Sequence, residues 1–134
     1  MKGSTIRNRK KVAVPVDFNI SNGTIGGCDI DFVLEFNNEL LILVEFKEKG
    51  VEIPTGQRLM LERVINAWRD SGKKGVVIRA DYTELTKDGF ITMTNTVVGK
   101  VYLSERNWVD IGEVNTVDYI NSIGERLNIT KCRF

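Results

Sequence analysis

Histidine is absent from the 134 residues of this chain, and cysteine occurs only twice, as Cys28 and Cys132. A structural zinc site needs about four Cys or His ligands, so this class of site is close to excluded. The lack of histidine also removes the Ser–His and Cys–His nucleophile systems. Any chemistry must therefore come from carboxylates, lysines and a hard metal ion. With so few cysteines, we expect free thiols rather than a disulfide.

Long hydrophobic runs are missing as well. The longest, Leu40 to Val44, is far too short to span a bilayer. The first residues, MKGSTIRNRKK, are polar and basic and lead into no apolar stretch of signal-peptide length. We therefore expect a cytoplasmic protein with no membrane partner.

The bulk composition is that of an ordinary globular domain. Of the residues, 42% are hydrophobic and 28% charged, and the formal net charge is +1. A near-neutral total argues neither for nor against a polyanionic partner, because basic groups can gather on one face. We expect one domain over 1–134, with a basic tail at about 1–10.

Hydrophobic periodicity predicts an alternation of strands and helices. Asn37–Asn38 is a turn signal, Thr55 is a candidate helix N-cap, and Ser71–Gly72 should end the helix that follows. In chain order, the predicted elements are a strand over 11–16, a hairpin of strands over 29–36 and 40–46, a helix over 57–70, a strand over 75–79, a hairpin over 90–95 and 97–103, and a helix over 116–127. This order predicts an α/β domain with a central mixed β-sheet flanked by helices.

Three charged residues of the first hairpin are candidates for chemistry. Glu45 and Lys47 are two residues apart on one strand, so their side chains share a face. They follow an apolar run at the carboxyl end of the strand, where ligand sites of open α/β sheets lie. Counting outward from the turn puts Asp31 nearly abreast of Glu45. The sequence therefore predicts two carboxylates and an ammonium group in one place.

Oxygen ligands and a fixed cation suit phosphate chemistry. Asp31 and Glu45 can hold Mg²⁺ or Mn²⁺, with the backbone carbonyl of Phe46 as a further ligand, and Lys47 can stabilise developing negative charge. The competing interpretation is a solvated Glu–x–Lys stripe beside a turn-capping Asp. Asp29 shares the face of Asp31 and is a second candidate ligand, although the hairpin register favours Asp31.

These residues resemble the motif of the PD-(D/E)XK nuclease superfamily. Asp31, then Glu45–Phe46–Lys47, then Gly56–Gln57 at a helix start is similar to its small phage and VRR-type or Holliday-junction-resolvase-like members. The resemblance covers about residues 26–80. It departs from many members in lacking an early helix with an acidic residue before the first strand.

The resemblance implies a restriction-endonuclease-like core and a Mg²⁺-dependent deoxyribonuclease. Asp31 and Glu45 would be metal ligands, Lys47 the catalytic lysine, and Gln57 would orient water or contact phosphate, unless it only caps its helix. The substrate would be DNA, with junction or branched DNA as one option, in the host cytoplasm if a phage encodes the chain.

Three questions stay open at this point. The alternative function is a non-catalytic nucleic-acid-binding or assembly domain that retains the nuclease fold. A homodimer is also open, because symmetric resolution of a junction needs two active sites. A basic rim of Arg58, Arg63, Arg69, Lys73 and Lys74 is a third open point, since such residues are often simply solvated.

Overall fold

A computed structural model describes residues 20–104 and 107–134, which group into two units. The larger unit, Ile30–Arg133, contains all the helices and strands named below. The smaller contains 20–29, where Ser21 and Gly26 form an isolated antiparallel bridge. The predicted basic tail at 1–10 and strand over 11–16 lie outside the described residues. That 1–134 is a single domain stays a prediction.

The first hairpin is present as predicted. Strand β1, Phe32–Phe36, pairs antiparallel with β2, Leu40–Glu48, in the register Phe32↔Val44. Asn37 and Asn38 have φ angles of 48° and 62°, a left-handed conformation that asparagine tolerates well in tight hairpin turns. Strand β1 begins at Phe32 and not at residue 29 as predicted. The N–H of Phe46 in β2 donates to the Asp31 side chain and is therefore not used for pairing with a backbone carbonyl before β1.

A helical crossover leads to a parallel strand. Helix α1, Thr55–Asp70, buries Leu61 and Ile65, and strand β3, Lys74–Tyr82, then pairs parallel with β2. The prediction of Thr55 as N-cap is wrong: Pro54 holds that position, without a side-chain cap bond, and Thr55 is already helical. The predicted end at Ser71–Gly72 is confirmed, with Gly72 at a φ of 88°.

The second predicted hairpin is wrong in its first strand. Residues Met93–Asn95 form a short 3₁₀ helix, closed by hydrogen bonds from Asn95 N to Thr92 O and from Thr96 N to Met93 O. These local bonds use groups that a strand would offer to a neighbour. Strand β4, Val97–Ser104, follows and pairs antiparallel with β3. Two short strands, β5 at Asn107–Val109 and β6 at Val114–Asn115, each pair antiparallel with β4.

The last helix completes an α/β fold with a mixed six-stranded sheet. Helix α2, Thr116–Arg126, is the predicted terminal helix, and the Asn115 side chain caps it by accepting from Asp118 N. Alternate residues of the sheet pack against the two helices. Leu43 and Val77 lie with α1, whereas Ile42 and Ile78 lie with α2, so the predicted sheet with flanking helices is confirmed. No helix among the described residues is long and apolar enough to cross a membrane.

Both cysteines are free thiols, as predicted, with Cys28 exposed and Cys132 buried. The Cys132 thiol donates to Ile120 O at 3.3 Å, and Cys132 packs against Gly124 of α2, where no side chain fits between them. Burial raises the pKa of this thiol. Cys132 therefore acts as a small apolar residue that holds the C-terminal segment on α2.

Candidate active site

Asp31 lies against the strand that carries the other candidate residues. Its Oδ2 accepts a hydrogen bond from the backbone N–H of Phe46 at 2.8 Å. Asp31 directly precedes β1, whose first pair with β2 is Phe32↔Val44, so it lies at the end of the hairpin where Glu45 and Phe46 follow Val44. This hydrogen bond fixes one oxygen of Asp31 at the backbone between Glu45 and Lys47.

Glu45 and Lys47 form a close pair on the side of the sheet that α1 covers. Glu45 is only 1% exposed, and its Oε2 is 3.7 Å from Lys47 Nζ. The side chain of Lys47 is 23% exposed, so the pair opens towards solvent on the lysine side. Burial of this degree excludes a solvated stripe for Glu45. Such burial is costly for a carboxylate unless a cation or hydrogen bonds compensate it.

Strand β3 adds two residues that the sequence did not reveal as candidates. The parallel register pairs Glu45 with Arg79 and Lys47 with Asp81, so all four residues share one face. Arg79 Nε donates to Asp81 Oδ1 at 2.7 Å, and Arg79 Nη2 donates to Glu48 O at 3.3 Å. We call Glu45, Lys47, Arg79 and Asp81 the charged quartet. The sequence contains a sign of this arrangement, because Arg79 and Asp81 lie two and four residues after buried Val77 and so share its face of the strand. The predicted strand ended at residue 79 and therefore left Asp81 out.

Gly99 makes room for the carboxylate of Asp81. A Cβ at Gly99 would come within 2.6 Å of Asp81 Oδ2 and 2.8 Å of Oδ1. Gly99 lies where the β3–β4 register shifts, between the pairs Arg79↔Lys100 and Ala80↔Val98. The irregularity and the missing side chain together let Asp81 lie against strand β4.

Two further candidates have a less specific placement. Gln57 is half-buried in the first turn of α1, whose N–H groups favour an anion. Its role in orienting water or contacting phosphate stays a prediction, as does the alternative that it serves only the helix. Asp29 belongs to the smaller unit, 20–29, and the preference for Asp31 over Asp29 also stays a prediction.

The donor atoms at this site fit a hard divalent cation. Asp31 and Glu45 supply carboxylate oxygens. The C=O of Phe46 points to the same strand edge as its N–H, which meets Asp31. In the part of the chain that the structure describes, no three His, Cys, Asp or Glu residues gather into a metal-binding group. Mg²⁺ commonly uses only one or two carboxylates and keeps several waters, so a two-carboxylate set suits it.

Comparisons with known proteins do not add to this geometry. No protein family matches the chain, and neither curated proteins nor solved structures gave a match.

Proposed function

We propose that this protein is a Mg²⁺- or Mn²⁺-dependent nuclease of the PD-(D/E)XK type that hydrolyses DNA phosphodiester bonds on a restriction-endonuclease-like core. One observation carries the proposal: the Asp31 carboxylate is bonded to the N–H of Phe46, between buried Glu45 and Lys47. This geometry supports the proposal because Glu45 and Lys47 lie at the carboxyl end of a buried strand, where α/β sheets bind ligands, and the Asp31 carboxylate contacts the residue between them.

Each residue of the trio has a separate role. Asp31 and Glu45 bind the cation, and the Phe46 N–H and the burial of Glu45 hold their oxygens in place. The bound metal supplies Lewis-acid stabilisation of the phosphate and eases the loss of a proton from water. Lys47 donates hydrogen bonds to the oxygen that gains negative charge as the bond breaks. Gln57 orients water or holds a phosphate oxygen at the start of α1.

Charge counting shows why the metal matters to substrate binding. The charged quartet has two acids and two bases and is formally neutral, and Asp31 brings the site to −1. A divalent cation changes this total to +1. A polyanion is repelled by the first state and attracted by the second, so DNA should bind productively only with metal present.

The proposed function includes more than one form of DNA substrate. A junction or branched DNA is one option, and a homodimer would provide the two active sites that symmetric cutting requires. The competing function is a nucleic-acid-binding or assembly domain that retains the fold without catalysis. It would bind branched DNA and never cut it.

The test is cleavage of supercoiled plasmid and of a four-way junction with Mg²⁺, Mn²⁺, Ca²⁺ or EDTA. We expect cleavage with Mg²⁺ or Mn²⁺, little turnover with Ca²⁺, whose looser coordination positions water poorly, and none with EDTA. Glu45→Gln should be inactive, whereas Glu48→Gln, the same change at an exposed site on the same strand, should be active. Full cleavage in EDTA would overturn the proposal, and junction binding without cleavage in any metal would favour the non-catalytic alternative.

A further inference from the structure

A cavity lies at the other end of the sheet from the candidate active site. It has a volume of about 500 Å³ and is lined at the amino ends of β2 and β3, by Leu40 and Lys74 among others. Leu40 is five residues before Glu45 on β2, about 17 Å away along the strand. Four cations line this cavity, and no Asp or Glu does. We call it the basic pocket and its cations are Arg69, Lys73, Lys74 and Arg126.

Arg69 is the most constrained of the four cations. Its Nε and Nη2 donate to Gly75 O at 3.0 and 2.8 Å, and Nη2 also donates to Tyr102 O at 2.6 Å. Its Nη1 is buried and has no hydrogen-bond partner in the described part of the chain. The guanidinium also lies 5.0 Å from the centroid of the Tyr102 ring, and none of the ion pairs found among the described residues includes Arg69. Burial lowers the pKa of Arg69, and the charge of Tyr102 partly opposes this shift.

Among the described residues, the other three cations also lack an acidic partner. Across 20–104 and 107–134, none of Lys73, Lys74 and Arg126 forms an ion pair. Lys73 Nζ instead donates to Asn38 Oδ1 and lies 4.3 Å from the Trp68 ring centroid. Arg69 and Arg126 sit in the last turns of their helices, where cations complement the helix dipole. That explanation does not extend to Lys73 and Lys74.

Apolar side chains complete the lining. Leu40, Val76 and Ile123 are buried, whereas Leu103 and Leu127 are 40% and 36% exposed. Glu39 lines a smaller adjoining cavity of about 290 Å³ that shares Lys73, Lys74 and Leu127 with the basic pocket. A concave apolar floor with a few convergent charged groups is the usual construction of a small-molecule site, and this volume is in the usual range. A site for inorganic phosphate alone does not need apolar side chains, so this lining indicates a ligand that also has an apolar part.

We propose that the basic pocket binds a small anionic amphiphile, namely a phosphate or carboxylate head group joined to an alkyl or aryl body. The head group pairs with the cations around Lys74 and Arg126, and the body displaces water from the leucine and isoleucine side chains. This site is separate from the proposed nuclease site, and its occupation does not depend on cleavage activity.

Calorimetric titration with alkyl phosphates tests both parts of this chemistry. We expect n-octyl phosphate to bind more tightly than n-hexyl phosphate, by about fourfold for each added methylene, which is the gain for burying one CH₂. Inorganic phosphate, which lacks the body, and octylammonium, which has the opposite charge, should bind far more weakly. Equal affinities for inorganic and octyl phosphate would overturn the amphiphile proposal.

Matched variants locate the ligand. Lys74→Glu should weaken octyl phosphate binding by about tenfold or more, because a charge-assisted hydrogen bond is replaced by repulsion. Lys87→Glu makes the same charge change at an exposed position outside the lining and should bind like wild type. Leu103→Ala should weaken octyl phosphate while leaving inorganic phosphate unchanged.

Two results would count against the basic pocket. Unchanged octyl phosphate affinity in both Lys74→Glu and Leu103→Ala would show that the ligand binds elsewhere. Competition from a short DNA duplex that Lys74→Glu abolishes would show that this surface is a contact for the nucleic-acid backbone instead.

Discussion

The two ends of the same sheet differ in how their charged side chains are paired. At the carboxyl ends of β2 and β3, acids and bases alternate and pair, as in Glu45 with Lys47 and Arg79 with Asp81. At the amino ends, the basic pocket brings together four cations that have no acidic partner among the described residues. A site that contains carboxylates can accept a cation, whereas positive charge without an acidic partner favours an anion. We therefore propose different ligands for the two ends.

Strand polarity explains how one sheet can separate two such sites. Because β2 and β3 are parallel, their carboxyl ends meet at one edge and their amino ends at the other. The apolar middles of both strands lie between these edges and pack against the two helices. Substitutions at one end of the sheet should therefore leave ligand binding at the other end unchanged.

The largest effect should come from removing a metal ligand at the carboxyl end. Asp31→Asn should eliminate DNA cleavage, because we propose the Asp31 carboxylate, which the Phe46 N–H holds against β2, as a ligand of the cation. Asp29→Asn should weaken cleavage only modestly, through indirect effects on the ligands. Initial rates on plasmid DNA measure both variants. An inactive Asp29→Asn beside an active Asp31→Asn would show that the ligand assignment is wrong.

A smaller loss of activity should follow from removing the ammonium group. Lys47→Ala should lower the rate of the chemical step by on the order of a hundredfold, the scale for a lost transition-state donor, while metal binding stays largely intact. Glu45→Ala should lose metal binding and cleavage together. Single-turnover kinetics and calorimetry separate the two effects. If Lys47→Ala lost the metal as Glu45→Ala does, the roles would have to be reassigned.

The packing of Asp81 should affect stability at the carboxyl end. Gly99→Ala places a Cβ against the Asp81 carboxylate and should lower the free energy of unfolding by about 1–3 kcal/mol, the usual cost of overpacking. Gly56→Ala is the matched control, since nothing lies within 4 Å of a Cβ at this helical position. It should stabilise the protein by about 0.5–1 kcal/mol. Urea denaturation measures both, and a Gly99→Ala variant as stable as wild type would contradict the close packing.

The smallest effect concerns alkaline pH near the basic pocket. Burial raises the pKa of Tyr119 above its ordinary 10.0, and the hydrogen bond and charge of Arg126 partly oppose this. As the pH rises, the unfolded chain therefore loses the Tyr119 proton before the folded protein does. The contribution of this group to the free energy of unfolding is fully present below pH 10.0 and is lost as the pH rises through the folded pKa. Arg126→Gln should raise the pKa of Tyr119 further, whereas Lys131→Gln should not. Ultraviolet titration of the phenolate measures the pKa, and a lower pKa in Arg126→Gln would contradict the contact.

Local sequence signals were enough for much of the carboxyl end. Two asparagines specified the left-handed turn of the first hairpin, and the turn fixed which residues of β1 and β2 face one another. The same turn predicts Asp31 near Glu45, and the structure brings the Asp31 carboxylate to the N–H of Phe46, the residue after Glu45. Helix α1 and the parallel strand after it followed from periodicity and the crossover rule.

Non-local packing could not be predicted in the same way. Arg79 and Asp81 look like the polar end of a short strand until the parallel register sets them beside Glu45 and Lys47. Residues 93–95 form a 3₁₀ helix before β4, where the alternation of the sequence predicted a strand, and β4 pairs with β3, β5 and β6 instead.

The basic pocket was out of reach of the sequence for the same reason. Its cations come from α1, the α1–β3 turn, β3 and α2, and only the fold makes them neighbours. The possible basic rim that the sequence indicated was thus divided by the fold, with Arg58 in an ion pair with Glu62 and Arg69 turned inward to backbone carbonyls.

Titration of Mn²⁺ into the purified protein, followed by calorimetry, tests most directly whether the carboxyl end is a cation site. The account predicts one site in wild type that is lost in Asp31→Asn and in Glu45→Gln, and that persists in Lys74→Glu, where only the basic pocket is altered. Equal Mn²⁺ affinity in wild type, Asp31→Asn and Glu45→Gln would contradict it, because neither carboxylate would then hold the metal.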